Sequence, residues 1–534
     1  MDKSTICKQF AADHAERMVV LEQARECSRL TDPTILPFTD QRPKTDPNGR
    51  VLPQNYQSLG SEGVVNIEGK LLTSLFPVGI PWIKSELDPK FLNDPSIPDI
   101  SKEAILHDLM VQDLITLSAL ETAGLGVGQG QTNRFRPHKR KVLGRLIVTG
   151  DTLEHLDDKY RLRSFRNDKY VTRRDSRGDV LYHITEEEID PLSLTDEQIA
   201  TADLKNNDLK AMRVAQRMKP LYTNIEWQPW TKTWVIEQEI NNHVINRSEE
   251  TVSPYFSTTF KLVEGEHYGR GLVYLHMGDL FSFDEGSLRF LNFMELCSKV
   301  LTVVDTGSQI RDRDFLKPSG SIIKGRVVGG VVQDAAIFKA DKLADFKVCA
   351  EVMQQIAMRL AKVFLSASNS VRDSERTTAF EVARATIAEL EGALGGVYAP
   401  IEDAQQTRLI DRTVWQLRRD KQLPTLDEKL KSKIKVNTLT GLAALADLRR
   451  AEDLKSLVVD AQTLGDAGIS TVNIPVALRA IARYRRINEP GLIKTDEQIT
   501  QERQDALKLA TQAEAANKAI DVGGNVAQAQ LTPG

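Results

Sequence analysis

The strongest constraint in this chain lies between Asp345 and Asp420, where two long helical patterns flank a polar segment and a Gly-Gly break precedes a third. From Phe346 to Leu365, the residues Cys349, Met353, Ile356, Leu360 and Phe364 recur at steps of three and four, the period of one buried helical face. Lys347, Glu351, Gln355 and Arg359 step by four along another face, where such neighbours support one another weakly. Ser366 to Arg376 has no apolar period and is rich in residues that satisfy their own backbone, so it reads as an exposed loop. Thr378 and Glu381 have the spacing of a capping box, and Phe380, Ala383, Ile387, Leu390 and Leu394 continue as one apolar seam. Gly395 and Gly396 are predicted to stop that helix in a left-handed conformation, with Pro400 in the first turn of the next. This third helix runs to about Lys421, with Glu402 and Asp403 near its start and Arg418, Arg419 and Lys421 at its end, matching the helix dipole.

The rest of the chain attaches to this unit. Residues 3–30, Gly63 to Leu75 and Ser101 to Ala123 read as helices, and the five prolines between Thr31 and Tyr56 suggest an extended arm lying on a neighbouring surface or subunit. Residues 145–185 alternate in four strand-like runs, LIVTGD, YRLRSF, YVTRRD and VLYHIT, with a turn at Asp175–Gly178. A second β-rich section spans Tyr222 to Val263. A helix is then expected from Ser287 to Val304 and a β-like insert from Ser321 to Gln333, with further helices over Thr440–Leu464, Pro475–Arg485 and Asp496–Ile520. Strands and helices do not alternate regularly, so the fold class is α+β, mainly helical.

A net charge of -4 argues against a broad basic face that grips nucleic acid. Four dispersed cysteines, with Cys297 and Cys349 on apolar helical faces, read as buried free thiols in a reducing compartment. No run is long and apolar enough to span a bilayer, and the first residues lack the core of a signal peptide. Glycines followed by Arg134, Arg136, Lys139, Arg140 and Lys141 read as a flexible loop with a solvated basic face, because a dinucleotide site needs a strand before the glycines and a helix directly after them. The nearest approach to a phosphate loop, Gly63 to Lys70, has the wrong spacing and puts Leu71 where a hydroxyl is needed. The pairs Asp157-Asp158, Asp312/Asp314 and Glu389/Glu391 read as solvated or ion-paired faces. Neither a catalytic centre nor a cofactor or metal site is expected.

Three segments together resemble the head-to-tail connector, or portal, proteins of short-tailed bacteriophages. They are YQSLGSEGVVNIEGKLLTSLFP (Tyr56 to Pro77), GEHYGRG (Gly265 to Gly271) with the following GDL, and SERTTAFEVARATIAELEGALGGVY (Ser374 to Tyr398). LIVTGD, Leu146 to Asp151, is a weaker fourth, and the departures are Val64-Val65-Asn66 for the usual Val-Asn and His267 where an acidic residue is common.

The resemblance implies a ring, typically a dodecamer, at one capsid vertex. Through it the terminase large subunit packs double-stranded DNA and the genome later leaves by way of tail or adaptor proteins, with scaffold and major capsid proteins as assembly partners. It implies a virion protein assembled in the host cytoplasm. It divides the chain into a wing (1–283), a stem helix (284–304), a clip (305–344) and a second stem helix (345–365). A tunnel loop and helix (366–398), a wing helix (399–436), a crown (437–494) and a barrel helix with a frayed tail (495–534) follow. On this plan Ser370, Arg372, Asp373, Glu375, Arg376, Glu381, Arg384 and Glu389 line the DNA channel, and Lys324 and Arg326 in the clip meet the terminase. Duplex DNA carries one negative charge per roughly 1.7 Å of axis, so a conduit must avoid gripping it. Ser366 to Gly396, with five acidic and three basic residues, fits that requirement. A monomeric helical adaptor of capsid or tail, without a channel, is the alternative.

Overall fold

The computed structural model describes residues 5–37, 55–77, 82–87, 99–123, 134–298, 301–304, 310, 313, 318, 321–322, 324–328, 331–332, 335–338, 343–366, 389–390, 392, 394–423, 434–438, 441–465, 471–485, 487 and 508. Two compact units divide at Ala444/Leu445. The first is α+β, as its sequence predicts. Helix α1 (Ile6–Leu30) buries Ile6, Phe10, Leu21, Ala24 and Leu30 along one stripe, together with Asp13 and Arg17. Helix α2 (Leu59–Leu75) buries Val64, Ile67, Leu71 and Leu75, and α3 covers Asp99–Thr122. Strand β1 (Ile83–Leu87) pairs antiparallel with β14 (Ile434–Thr438), although the two lie far apart in sequence.

Two antiparallel sheets form the β-rich section. One has the order β3-β2-β9, built from β2 (Asp151–Leu156), β3 (Leu162–Phe165) and β9 (Tyr255–Thr259). The other is a meander of β4 (Tyr170–Arg174), β5 (Val180–Ile189), β6 (Lys219–Gln228), β7 (Thr233–Ile240) and β8 (His243–Glu250). The turn between β4 and β5 lies where the sequence puts it, with Gly178 at φ 90°.

Helix α4 (Phe135–Thr149) overturns two expectations. The run from Phe135, expected as a loop, is helical, although Arg140 and Lys141 keep the solvated face expected of them; Leu146 to Thr149, expected as a strand, are helical too, every residue from Val142 to Thr149 is buried, and β2 begins at Asp151. From Val142 onward the helix passes through the main core, and a stretch buried all round shows neither an amphipathic stripe nor a polar face. Three of its basic residues have partners elsewhere in the chain, while Arg134, Arg140 and Lys141 remain exposed. Arg136 donates to the carbonyls of Phe76 and Pro77, Arg140 to Glu68, and Lys139 is fully buried.

Helix α5 (Met277–Ser298) starts before the expected Ser287 and ends before Val304, because Leu301–Val304 forms a strand, β10, paired with β13 (Ala335–Phe338). The β-like insert contains the hairpin β11 (Val327–Val328) and β12 (Val331–Val332). Helix α6 (Leu343–Val363) follows. Cys349, expected to be buried, is exposed. The apolar face it belongs to is covered only at its other end, where Leu360 and Phe364 are fully buried. At Gly395–Val397 the chain makes a 3-10 turn between Leu394 and Tyr398, both right-handed, and passes directly into α7 (Tyr398–Glu402) where a left-handed stop was expected. A π-helical turn, Asp403–Thr407, leads into α8 (Arg408–Arg419).

The second unit contains most of α9 (Gly441–Thr463) and all of α10 (Ile474–Arg485), both where the periodicity predicts them. The arm after Pro37, the capping box at Thr378 and the helix expected over Asp496–Ile520 fall outside the described residues, save Lys508.

Candidate functional site

Burial falls away along α5 after Asp284 and returns on α6 only at Leu360: from Glu285 to Glu295 on α5 and from Lys347 to Arg359 on α6, no residue is buried. The two helices do touch: Arg359 donates to Asp279 at 2.8 Å, and Gly286 lies against Met353 so closely that a Cβ there would sit 2.5 Å from its sulfur. Yet Leu291 and Met294 on α5, and Val348, Val352 and Met358 on α6, are each half or more exposed.

At its C-terminal end α6 is fastened to α2. Leu365 takes a left-handed conformation (φ 55°), with Leu365 N–H donating to the Lys362 carbonyl and Ser366 N–H to that of Ala361, the pattern of a Schellman stop made without glycine. The carbonyls of Phe364 and Leu365 would otherwise be orphaned, as the last ones of any helix are. Asn66 Nδ2 donates to Phe364 O at 2.8 Å, and Lys70 Nζ to Leu365 O at 3.0 Å. Gly63, one turn earlier on the same face of α2, leaves room for the Phe364 ring; a Cβ there would lie 2.3 Å from its Cγ. Lys70 also donates to Glu389 Oε2 at 2.9 Å, where the chain re-enters the described structure. The Gly63-to-Lys70 spacing is thus a helix-capping surface.

The two glycine motifs meet each other. Gly150, at the end of α4 with φ 84°, packs on the Arg270–Gly271 backbone, and Gly271 packs in turn on the Ile147 and Val148 carbonyls. Gly269 N–H donates to Asp151 Oδ2 at 3.0 Å, and burial pushes the Asp151 carboxyl up to about 7. The Tyr268 hydroxyl accepts from Thr172 N–H at 3.0 Å, and the tyrosine ring lies 4.0 Å from the guanidinium of buried Arg17. His267, the departure from the connector pattern, accepts through Nδ1 from Arg174 N–H at 3.2 Å. These segments weld α1, α4 and the sheets together at backbone distance.

Beside the weld lies a buried charge network that sequence reading missed. Lys139 Nζ donates to both Glu154 oxygens at 3.0 and 2.9 Å and to Gln405 Oε1 at 2.8 Å, while His138 Nε2 is 3.0 Å from Glu154. Gln405 also donates to Thr258 at 2.8 Å, which fixes the π turn against β9. Burial alone would raise the Glu154 carboxyl, but Lys139 and His138 outweigh it and hold it down at about 2.

Of the residues expected to line a channel, Ser370, Arg372, Asp373, Glu375, Arg376, Glu381 and Arg384 lie outside the described residues; Glu389 is the one placed, against Lys70. Lys324 and Arg326 are both exposed beside the β11–β12 hairpin. Asp157 and Asp158 are ion-paired, with Arg161 and Arg419. Among the described residues no group of three or more His, Cys, Asp or Glu side chains converges as a metal site, and no helix is long and apolar enough to cross a membrane.

The sequence profile of the family described as bacteriophage head to tail connecting protein matches residues 3–484. The chain belongs to that family. This connecting protein is 27% identical over 497 residues to the portal protein of Enterobacteria phage T3, covering 90% of this chain and 87% of the relative. It is 26% identical over 494 residues to that of Escherichia phage T7, covering 90% and 86%. With the portal protein of Pseudomonas phage phiKMV it shares 26% identity over 512 residues, 92% and 93% of the two chains. Of the segments that carry the resemblance, those around Gly150 and Gly269 bring backbones of this connecting protein together, and Gly63 admits the Phe364 side chain.

Proposed function

We propose that this connecting protein is a portal: a ring of identical subunits at one capsid vertex, a structural channel through which double-stranded DNA enters and leaves. The observation that carries this reading is the α5/α6 pair, in which neither Glu285–Glu295 nor Lys347–Arg359 holds a buried residue. Such a pair, apolar on faces its own chain leaves open, is completed by neighbouring copies of the same pair packed around an axis. In this reading α5 and α6 are the stem and residues 305–344 the clip. Segment 366–398, the tunnel loop and helix, faces the channel, with residues 399–436 returning to the wing and residues 437–534 lying inside the capsid. The chemistry of packaging belongs to a separate terminase, and tail, scaffold and major capsid proteins complete the vertex.

The test is the mass of the purified protein by light scattering, with negative-stain images of the same fraction. A uniform ring with a central hole is expected. A monomer that persists at high concentration, with scaffold protein added, would favour the adaptor reading.

Two residue-level expectations accompany it. Replacing Arg372 and Arg376 with Ala leaves rings intact but alters DNA packaging or genome retention, since isolated arginine rings in a net-acidic conduit make brief phosphate contacts; an unchanged yield of packaged DNA would remove them from the mechanism. Charge reversal at Lys324 and Arg326 weakens terminase binding, and wild-type affinity would move the docking site elsewhere.

A further inference from the structure

A basic insert interrupts the connection between β5 and β6. Residues 205–219 carry five basic side chains and one acidic, in a chain whose net charge is -4. Two short helical turns, Asn206–Ala211 and Val214–Arg217, shape it, with Leu209 buried beneath and Arg217 held by Asp190 at 2.8 Å. Lys210 and Arg213 are exposed and form no ion pair among the described residues. Between and beside them Met212 and Val214 are 44% and 58% exposed. Unpaired cations around an apolar centre have the make-up of a protein interface; phosphates alone would leave Met212 and Val214 uncovered.

The same chain presents a complementary surface on α1. Val19 is 65% exposed, with Glu16 and Glu22, also exposed, three positions to either side. Asp13 and Glu16 share the single guanidinium of Arg173, so the group keeps an excess of negative charge. Val19 and Val20 also line a cleft of about 320 Å³ between α1 and the GEHYGRG segment, with room for a methionine side chain. We propose that the basic insert of one subunit docks on the Glu16–Glu22 face of α1 in the next copy, Met212 meeting Val19 and Lys210 and Arg213 meeting the carboxylates; this rests on the ring reading above.

The sheet topology favours that occupant. A closed ring is built from head-to-tail contacts, so each subunit needs two different patches that match each other. Arg173, which binds Asp13 and Glu16, belongs to β4, one edge of the five-stranded meander. The base of the insert packs at the other edge, where Ala202 and Leu204 join Ile240 of β7 and Ile245 of β8 in a small apolar cluster. Four strand spacings, roughly 19 Å, separate the two edges. One sheet thus carries the basic patch at one side and the acidic patch at the other.

The experiment follows ring mass by light scattering as the full-length protein is diluted, at several salt concentrations. In Lys210→Glu with Arg213→Glu, the concentration at which rings half dissociate is expected to rise about tenfold at low salt, as two surface pairs turn from attraction to repulsion. The difference closes near about 1 M salt, where the screening length is about 3 Å. Adding Glu16→Lys and Glu22→Lys to the same chain restores ring stability. A charge-reversed protein as stable as wild type would overturn the docking, and a loss that the swap does not rescue would assign the insert to a different protein and overturn it as well. If the swapped chain does not fold, Val19→Cys with Met212→Cys decides: on oxidation it yields a ladder of covalent oligomers that neither single variant gives, and the absence of that ladder overturns the docking. Wild-type protein that forms no ring would remove the portal reading and this inference together, whereas wild-type rings indifferent to every substitution would remove this inference alone.

Discussion

Lys139→Ala is expected to lower the stability of the first unit by about 3 to 5 kcal/mol, the cost of stranding a buried carboxylate when its partner is removed. Lys139 and Glu154 are both fully buried, and the ammonium serves Gln405 as well, so the change also strips the π turn of one of its supports. The urea midpoint of the variant, read against wild type, gives the value. The double variant Lys139→Met with Glu154→Leu is expected to recover much of the loss, because an apolar pair of similar volume leaves no charge unmatched. A double variant as unstable as the single one would mean that shape rather than charge governs the site. The same network sets a pH response. The Glu154 carboxyl is held at about 2, below its ordinary value, so its stabilisation is fully present above the usual glutamate range and is lost as pH falls through about 2. Asp151 works in the opposite sense: its carboxyl is raised by burial to about 7, so its contribution is fully present below the usual aspartate range and is lost as pH rises through about 7. Asp151→Asn is expected to flatten the stability profile on the neutral side and leave the acid limb, governed in part by Glu154, unchanged.

Gly150→Ala carries the second large effect. A Cβ there would lie 2.4 Å from Gly271 N and 2.5 Å from Arg270 C, backbone atoms that cannot move aside without separating α4 from the GEHYGRG segment. The left-handed backbone adds about 1 to 2 kcal/mol and the overpacking about 1 to 3 more, a total that threatens folding of the subunit. Gly265→Ala supplies the control. Its φ of 82° imposes a similar backbone strain, but a Cβ there meets nothing within 4 Å, so only the strain is expected to register. Equal losses at the two positions would show that conformation alone matters and that the contact between the two glycine motifs contributes nothing.

The helices of this protein were legible because their signals are local. The steps of Cys349, Met353, Ile356, Leu360 and Phe364 gave α6 nearly to its ends, and the turn at Asp175–Gly178 set the β4–β5 hairpin. The periodic signal could not say that the face containing Cys349 is open at one end and sealed at the other, since that depends on what α2 and the core place against it. The motif around Gly63 was visible as a pattern, but its meaning was not: Asn66 and Lys70 reach Phe364 and Leu365 almost three hundred positions along the chain.

The basic run from Arg134 to Lys141 shows the limit most clearly. Charge clustering predicts a solvated face, and Arg134, Arg140 and Lys141 are exposed as expected, but nothing near Lys139 in sequence marks it as the exception. Glu154 and Gln405, brought in by a strand and a π turn, supply its partners and make burial affordable. The sequence by itself therefore determined the periods, the strand runs and the family of the chain, all carried by residues within a few positions of one another. Only the tertiary structure decided which charges are buried, where α6 stops and which face remains for a neighbour, because each depends on partners supplied from a distance and on desolvation that they alone can offset.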